Sequence, residues 1–264
     1  MNPIRVVVQG ALGRVGREVI NALCREPETQ VVGAVELQIS EDYLPLPGGS
    51  DTVPFSSNLE QILTNCQPDV LVDFTTAQAT VPAVRIAAKQ GVNMVIGTTG
   101  LSADELSEIE QLSIAHKVRI VVAPNFALGA VLMVHLAKVA AKYLDFAEII
   151  ELHHHLKADS PSGTALATAE AMAQARGRPF YRPPEQGQTS NSRGEQIEGV
   201  TIHSVRLPGL LAHQEVILGA PGQTLSIRHD TISRECYMPG VILAIKEAVK
   251  RQGLIHGLDA LLDL

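Results

Sequence analysis

Short apolar runs at residues 4–9, 30–36, 69–74, 93–98 and 119–123 read as buried β-strands. They alternate with segments at 15–25, 59–65, 81–91 and 103–116, whose apolar residues recur at helical spacing. Strand and helix in regular alternation predict an α/β fold built on a doubly wound parallel sheet.

After Pro124 the rhythm changes. A long apolar helix is expected over 128–143, a strand over 147–155 and a helix opening near Ser162, followed by strand-like runs at 201–207, 214–218 and 224–229. This pattern predicts a second, mixed α+β domain over 127–235, set against a first domain over 1–126. Met238-Pro239-Gly240 precedes an amphipathic helix at 241–251, and the apolar tail 254–264 is expected to pack back, so that 236–264 complete the first domain. Residues 177–199 are polar and rich in Pro, Gly and Ser, which reads as an extended surface loop.

Composition narrows the function. The chain has 264 residues, 45% of them hydrophobic, which is ample for a core. Its 21 Lys+Arg against 28 Asp+Glu give a net charge of -7 with no dense basic run, an argument against a nucleic-acid or membrane surface and for a small-molecule partner. Three cysteines without CxxC spacing indicate neither a disulfide framework nor a zinc knuckle. The first apolar run is too short for a signal peptide, and no segment approaches about 18 uninterrupted apolar residues. A soluble, cytoplasmic protein is expected.

Directly after the first strand comes Gly10-Ala11-Leu12-Gly13-Arg14-Val15-Gly16, and a helical pattern begins at once. Glycines let a backbone turn tightly against a pyrophosphate, and the free amides and dipole of a helix N-terminus favour the anion. The spacing GxxGxxG departs from the commoner GxGxxG, but the second strand ends in Glu36, 20 residues past Gly16, where a ribose-binding acid belongs. Glu36 favours NADH by repelling a 2′-phosphate, while Arg14 and Arg17 offset that, so NADPH and NADH both stay open. Two later strand ends, Gly97-Thr98-Thr99-Gly100 and Ala123-Pro124-Asn125-Phe126, would face the same cofactor.

The densest chemistry lies in ELHHHLKADSPSGTA, residues 151–165. On a strand, His153 and His155 share one face and His154 takes the other, so the three cannot chelate one ion without distortion. No HExxH or CxxC pattern supplies further ligands, and no metal is expected. Lys157 and the Ser162-Gly163-Thr164 helix start combine an ammonium, imidazoles and an anion cradle, which fits a small polyanionic substrate that must receive a proton.

GALGRVG, VDFT at 72–75, GTTG, APNF, ELHHxxKxDSPSGTA and HSVRLPGLLAHQEVILG occur in order over nearly the whole chain. In this combination the sequence resembles the 4-hydroxy-tetrahydrodipicolinate reductase (dihydrodipicolinate reductase) family of diaminopimelate and lysine biosynthesis. The resemblance implies a Rossmann-like nucleotide domain, a second domain for substrate binding and homotetramer assembly, and NAD(P)H-dependent reduction of a cyclic dicarboxylate with loss of water. It implies catalytic roles for His153 and Lys157, and substrate contacts at His154, Ser162, Gly163 and Thr164. Cofactor contacts are implied at Gly10, Ala11, Leu12, Gly13, Arg14, Val15, Glu36, Gly97, Thr98, Thr99, Ala123, Pro124, Asn125 and Phe126.

This chain has Leu156 where many relatives carry another histidine, Ser160 where they carry alanine, and Leu37 where some carry a basic residue. Two other readings stand beside the reductase. A semialdehyde dehydrogenase needs a nucleophilic cysteine at a helix start, and Cys24, Cys66 and Cys236 are poorly placed for it. A non-catalytic nucleotide sensor would have no use for His153, Lys157 and the Ser-Gly-Thr start together.

Overall fold

The computed structural model describes residues 2–49, 51–181, 193–250, 253–262 and 264. The chain divides into two compact units, Met1–Leu128 with Arg234–Leu264, and Gly129–Ser233.

The first unit alternates β1 (Ile4–Gln9), α1 (Arg14–Arg25), β2 (Thr29–Val35), β3 (Tyr43–Pro45), β4 (Thr52–Ser56), α2 (Leu59–Cys66), β5 (Val70–Asp73), α3 (Ala77–Lys89), β6 (Asn93–Ile96), α4 (Ala103–His116) and β7 (Ile120–Val122). β5 and β7 are short and buried along their length, and β1 is buried from Val6 on, as strands covered on both faces must be. Leu71, Met94, Ile96 and Ile120 pack with α2, α3 and α4 in one cluster. Helix α1 buries Gly16, Val19, Ile20 and Leu23, one stripe at helical spacing, and lies beside α7 (Met238–Ala248).

The tail adds a strand. β13 (Leu254–His256) pairs parallel with β7, giving the order β13-β7-β6-β5-β1-β2-β4-β3. The chain reverses its direction of growth between β1 and β5, and such a switch point leaves a crevice at the carboxyl ends of the strands.

Three details depart from the sequence expectation. β3 and β4 fall in a stretch for which the sequence pattern named no element; they pair antiparallel, Tyr43 opposite Pro54, with β3 at the sheet edge. Helix α3 starts at Ala77 and runs through Pro82, four residues before the expected start at 81. The last helix begins at Met238, not 241, with Pro239 in its first turn, where a proline fits.

The second unit holds α5 (Leu128–Ala141), β8 (Phe146–His153), α6 (Gly163–Arg176), β9 (Glu195–Ile197), β10 (Val200–Arg206), β11 (Ala212–Ala220) and β12 (Gln223–Thr231). Its sheet runs β12-β11-β8-β10-β9, with β8 and β10 parallel and the other pairs antiparallel. Met133, Ala137, Ile149, Ala165, Met172, Ile202, Val216 and Leu218 form the core between its helices and sheet. The loop expected over 177–199 is in part structure: Phe180 is buried and 195–197 pair with β10. Residues 182–192 of that loop lie outside the described residues.

Candidate active site

In the first unit β1 ends at Gln9 and Gly10 takes φ +76°, a left-handed conformation that glycine adopts without strain. The amides of Gly10 and Ala11 both donate to the Val35 carbonyl, at 3.0 and 3.2 Å. Helix α1 follows with Gly13 as its N-cap and no side chain capping it, so amides of its first turn keep their capacity for an anion. A Cβ at Gly16 would fall 2.0 Å from the Gly10 carbonyl oxygen, so only glycine lets the helix sit directly on the turn.

Glu36 closes this cradle. Its Oε2 accepts the Leu12 N–H and its Oε1 the Leu37 N–H, both at 3.0 Å, which fixes the carboxylate on the turn. Each oxygen retains a lone pair for a ribose hydroxyl. A turn closed to side chains, an uncapped helix start and an acid held beside them fit a dinucleotide.

The other expected cofactor residues sit at the ends of β6 and β7. Thr98 is buried and accepts the Thr75 N–H at 3.2 Å, while Thr99 is exposed. Ala123 and Phe126 are buried, Pro124 is exposed, and Asn125 Oδ1 accepts the Ala127 N–H at 2.9 Å. Arg14 is exposed and Val15 half-buried.

In the second unit the strand expected to reach residue 155 ends at His153, and His155 and Leu156 occupy a turn. Strand alternation therefore joins His153 to Glu151 and not to His155. The Glu151 side chain is fully buried, with Oε2 2.5 Å from His153 Nδ1. Facing an ionised acceptor, Nδ1 carries the proton, which leaves Nε2 as the outward nitrogen.

Arg206 ends β10 in parallel register with His153 and forks onto Glu151, Nη1 to Oε2 at 2.9 Å and Nη2 to Oε1 at 2.8 Å. Nη2 also donates to the Asp159 carbonyl at 2.6 Å, and the Ser162 N–H donates to Glu151 Oε1 at 3.2 Å. One carboxylate thus ties together β8, β10 and the start of α6. Burial pushes the Glu151 carboxyl up, but hydrogen bonds from His153, Arg206 and Ser204 outweigh it and hold the group at about 2.

Lys157 Nζ donates to both carboxylate oxygens of Asp159, at 2.7 and 2.8 Å. Ser162 is the N-cap of α6: its Oγ accepts the Ala165 N–H at 3.2 Å and only 2% of the residue is exposed, so it shapes the helix start. Gly163 and Thr164 are exposed on the first turn, and His154 is half-buried. Among the described residues no three His, Cys, Asp or Glu side chains converge as metal ligands.

Glu151, Arg206 and Asp159 had drawn no role from the sequence. Glu151 carried a usable signal, since a residue two positions before His153 on a strand shares its face. Arg206, 55 residues further on, carried none.

Residues 4–126 match the family described as dihydrodipicolinate reductase, N-terminus, and residues 129–262 match dihydrodipicolinate reductase, C-terminus. The chain belongs to the dihydrodipicolinate reductase family. Within it, the chain is 58% identical over 264 residues to a 4-hydroxy-tetrahydrodipicolinate reductase of Dehalococcoides mccartyi, covering 100% of both chains. It is 48% identical to the enzyme of that name from Moorella thermoacetica, covering 98% of each.

Among solved structures, the dipicolinate-bound dihydrodipicolinate reductase from Paenisporosarcina sp. TG-14 is similar with a TM-score of 0.86 and 37% identity, over 97% of this chain and 98% of that one. Aspartate semialdehyde dehydrogenase II from Vibrio cholerae shares the fold alone, at 12% identity and a TM-score of 0.56 over 94% of this chain and 98% of that one.

Proposed function

We propose that this chain reduces 4-hydroxy-tetrahydrodipicolinate to 2,3,4,5-tetrahydrodipicolinate with loss of water, using NADH or NADPH. The observation that carries the reading is the Glu151-centred cluster, which fixes His153 and the start of α6 together beside the Lys157–Asp159 pair.

When bound, the reduced nicotinamide supplies the hydride. Gly10 to Val15 and Glu36 hold the dinucleotide, with the ends of β6 and β7 at Gly97 to Thr99 and Ala123 to Phe126. In the second unit the exposed first-turn residues Gly163 and Thr164, with His154, take the substrate's carboxylates. Loss of the 4-hydroxyl with a ring hydrogen, as water, leaves the conjugated imine; the hydride this then gains requires one proton, which Lys157 donates from an ammonium held in place by Asp159. His153, with Nδ1–H held by Glu151, presents an unprotonated Nε2 that accepts a proton.

Either nicotinamide cofactor suits the turn: the Glu36 carboxylate, held by two amides, disfavours a 2′-phosphate, while the exposed Arg14 and Arg17 favour one. We assign a homotetramer assembled through the second unit. Leu132, Leu136 and Val139 on α5 are each at least 44% exposed and form a stripe at helical spacing suited to a second copy. Light scattering on the purified chain reads that mass. No helix among the described residues is long and apolar enough to cross a membrane, and the place we assign to the enzyme is the cytoplasm.

Freshly made hydroxy-tetrahydrodipicolinate, with nicotinamide absorbance followed for NADH and NADPH separately, tests the activity. Oxidation of neither cofactor would defeat it.

A further inference from the structure

At the end of β5 a buried carboxylate takes no part in the chemistry above. Asp73 is 0% exposed, and two threonine hydroxyls donate to it, Thr75 Oγ1 to Oδ1 and Thr80 Oγ1 to Oδ2, each at 2.6 Å. Thr80, from α3, is itself fully buried, and its oxygen lies 2.9 Å from Thr98 Oγ1. Thr98 Oγ1 in turn accepts the Thr75 N–H at 3.2 Å.

A hydroxyl has one hydrogen to give. With that of Thr80 committed to Asp73, the bond between the two threonines runs from Thr98 to Thr80. A single direction of donation, Thr98 to Thr80 to Asp73, then satisfies the whole chain and fixes the Thr98 side chain. Burial pushes the Asp73 carboxyl up, and the Thr75 and Thr80 hydrogen bonds oppose that.

Packing adds to the constraint. Phe74 fills the space beside Gly97 so fully that a Cβ there would fall 2.0 Å from its ring, and it packs on Phe126 with centroids 5.5 Å apart. Residues 73–75 therefore set the backbone at both later strand ends. In the order β6-β5-β1-β2, β1 carries the phosphate turn and β2 leads to the ribose acid Glu36, so the ends of β5 and β6 serve the opposite half of a dinucleotide.

We propose that Asp73 is a positioning residue for the nicotinamide half of the cofactor, acting through Thr80 and Thr98 without touching the cofactor itself. The inference rests on the cofactor assignment made above.

Asp73→Asn keeps the volume but turns one of the two acceptor oxygens into a donor, so Thr75 and Thr80 can no longer both donate to it. Thr80→Val cuts the chain at a buried residue that faces no cofactor, and Thr80→Ser keeps the link. Binding of NADH is read by fluorescence titration, and binding of ADP-ribose, which lacks the nicotinamide, by calorimetry.

The expected result is that Asp73→Asn and Thr80→Val weaken NADH about tenfold, leave ADP-ribose unchanged, and that Thr80→Ser binds as the parent does. Equal weakening of both ligands, or NADH binding unchanged in both variants, would overturn the role of Asp73 alone. A parent protein that binds neither NADH nor NADPH would overturn the cofactor assignment and the inference with it.

Discussion

Glu151 Oε2 stands 2.5 Å from His153 Nδ1, two residues along the same strand face, while Arg206 holds both oxygens of that carboxylate from the neighbouring strand. The carboxylate thereby orients His153 through one ring nitrogen, and its charge is balanced within the cluster.

Glu151→Gln keeps the shape and removes the charge. The amide cannot hold His153 in one tautomer, and kcat should fall about 10- to 100-fold, the usual cost of losing an orienting partner behind a functional histidine. Arg206→Met leaves the buried carboxylate without its main countercharge and should lower stability by about 3–5 kcal/mol. Steady-state kinetics and urea unfolding read the two effects separately.

Acid should unfold the protein through the same group. The Glu151 carboxyl is held at about 2, below its ordinary 4.5, so its contribution is complete above pH 4.5 and is lost as pH falls from there toward 2. The loss amounts to roughly 3 kcal/mol. Urea midpoints measured down that range should fall in the parent protein and fall less in Glu151→Gln.

Much of this fold was legible in the chain, and the gaps have physical reasons. The buried strands announce themselves as β-branched runs because both faces are covered. β3 and β4 do not, since Pro45 and Pro54 interrupt their short runs; β3 is the edge, and β4 pairs with β2 only at Phe55 and Ser56, past its proline. β13 is three residues long and gains its identity only by pairing with β7. Of the residues around Glu151, His153, Lys157 and the Ser162 start lie in one stretch, so their grouping was visible in the sequence. Arg206 joins them through the register between β8 and β10, a relationship that no local pattern encodes.

Glu36→Ala should move the cofactor preference. Removing the acid from the phosphate turn relieves repulsion of a 2′-phosphate and forfeits the ribose hydroxyl contacts, so the ratio of kcat/KM for NADPH over NADH should rise about tenfold or more. An unchanged ratio would mean that Glu36 does not face the ribose.

Ser162→Ala removes the side-chain cap of α6 and should cost about 1 kcal/mol, seen as a lowered thermal midpoint. Because the Ser162 hydroxyl is engaged with the Ala165 amide, the KM for substrate should change far less than in a variant at the exposed Thr164.

The proposed proton donor in the nicotinamide-dependent reduction of hydroxy-tetrahydrodipicolinate is Lys157. The most direct test of that role is single-turnover oxidation of NADH with freshly made substrate, by the parent protein and by folded Lys157→Ala. Rapid oxidation by the parent and a rate about 10²- to 10⁴-fold lower in the variant are expected, with NADH binding unaltered. Equal rates in the two proteins, or no oxidation by the parent with either nicotinamide, would contradict it.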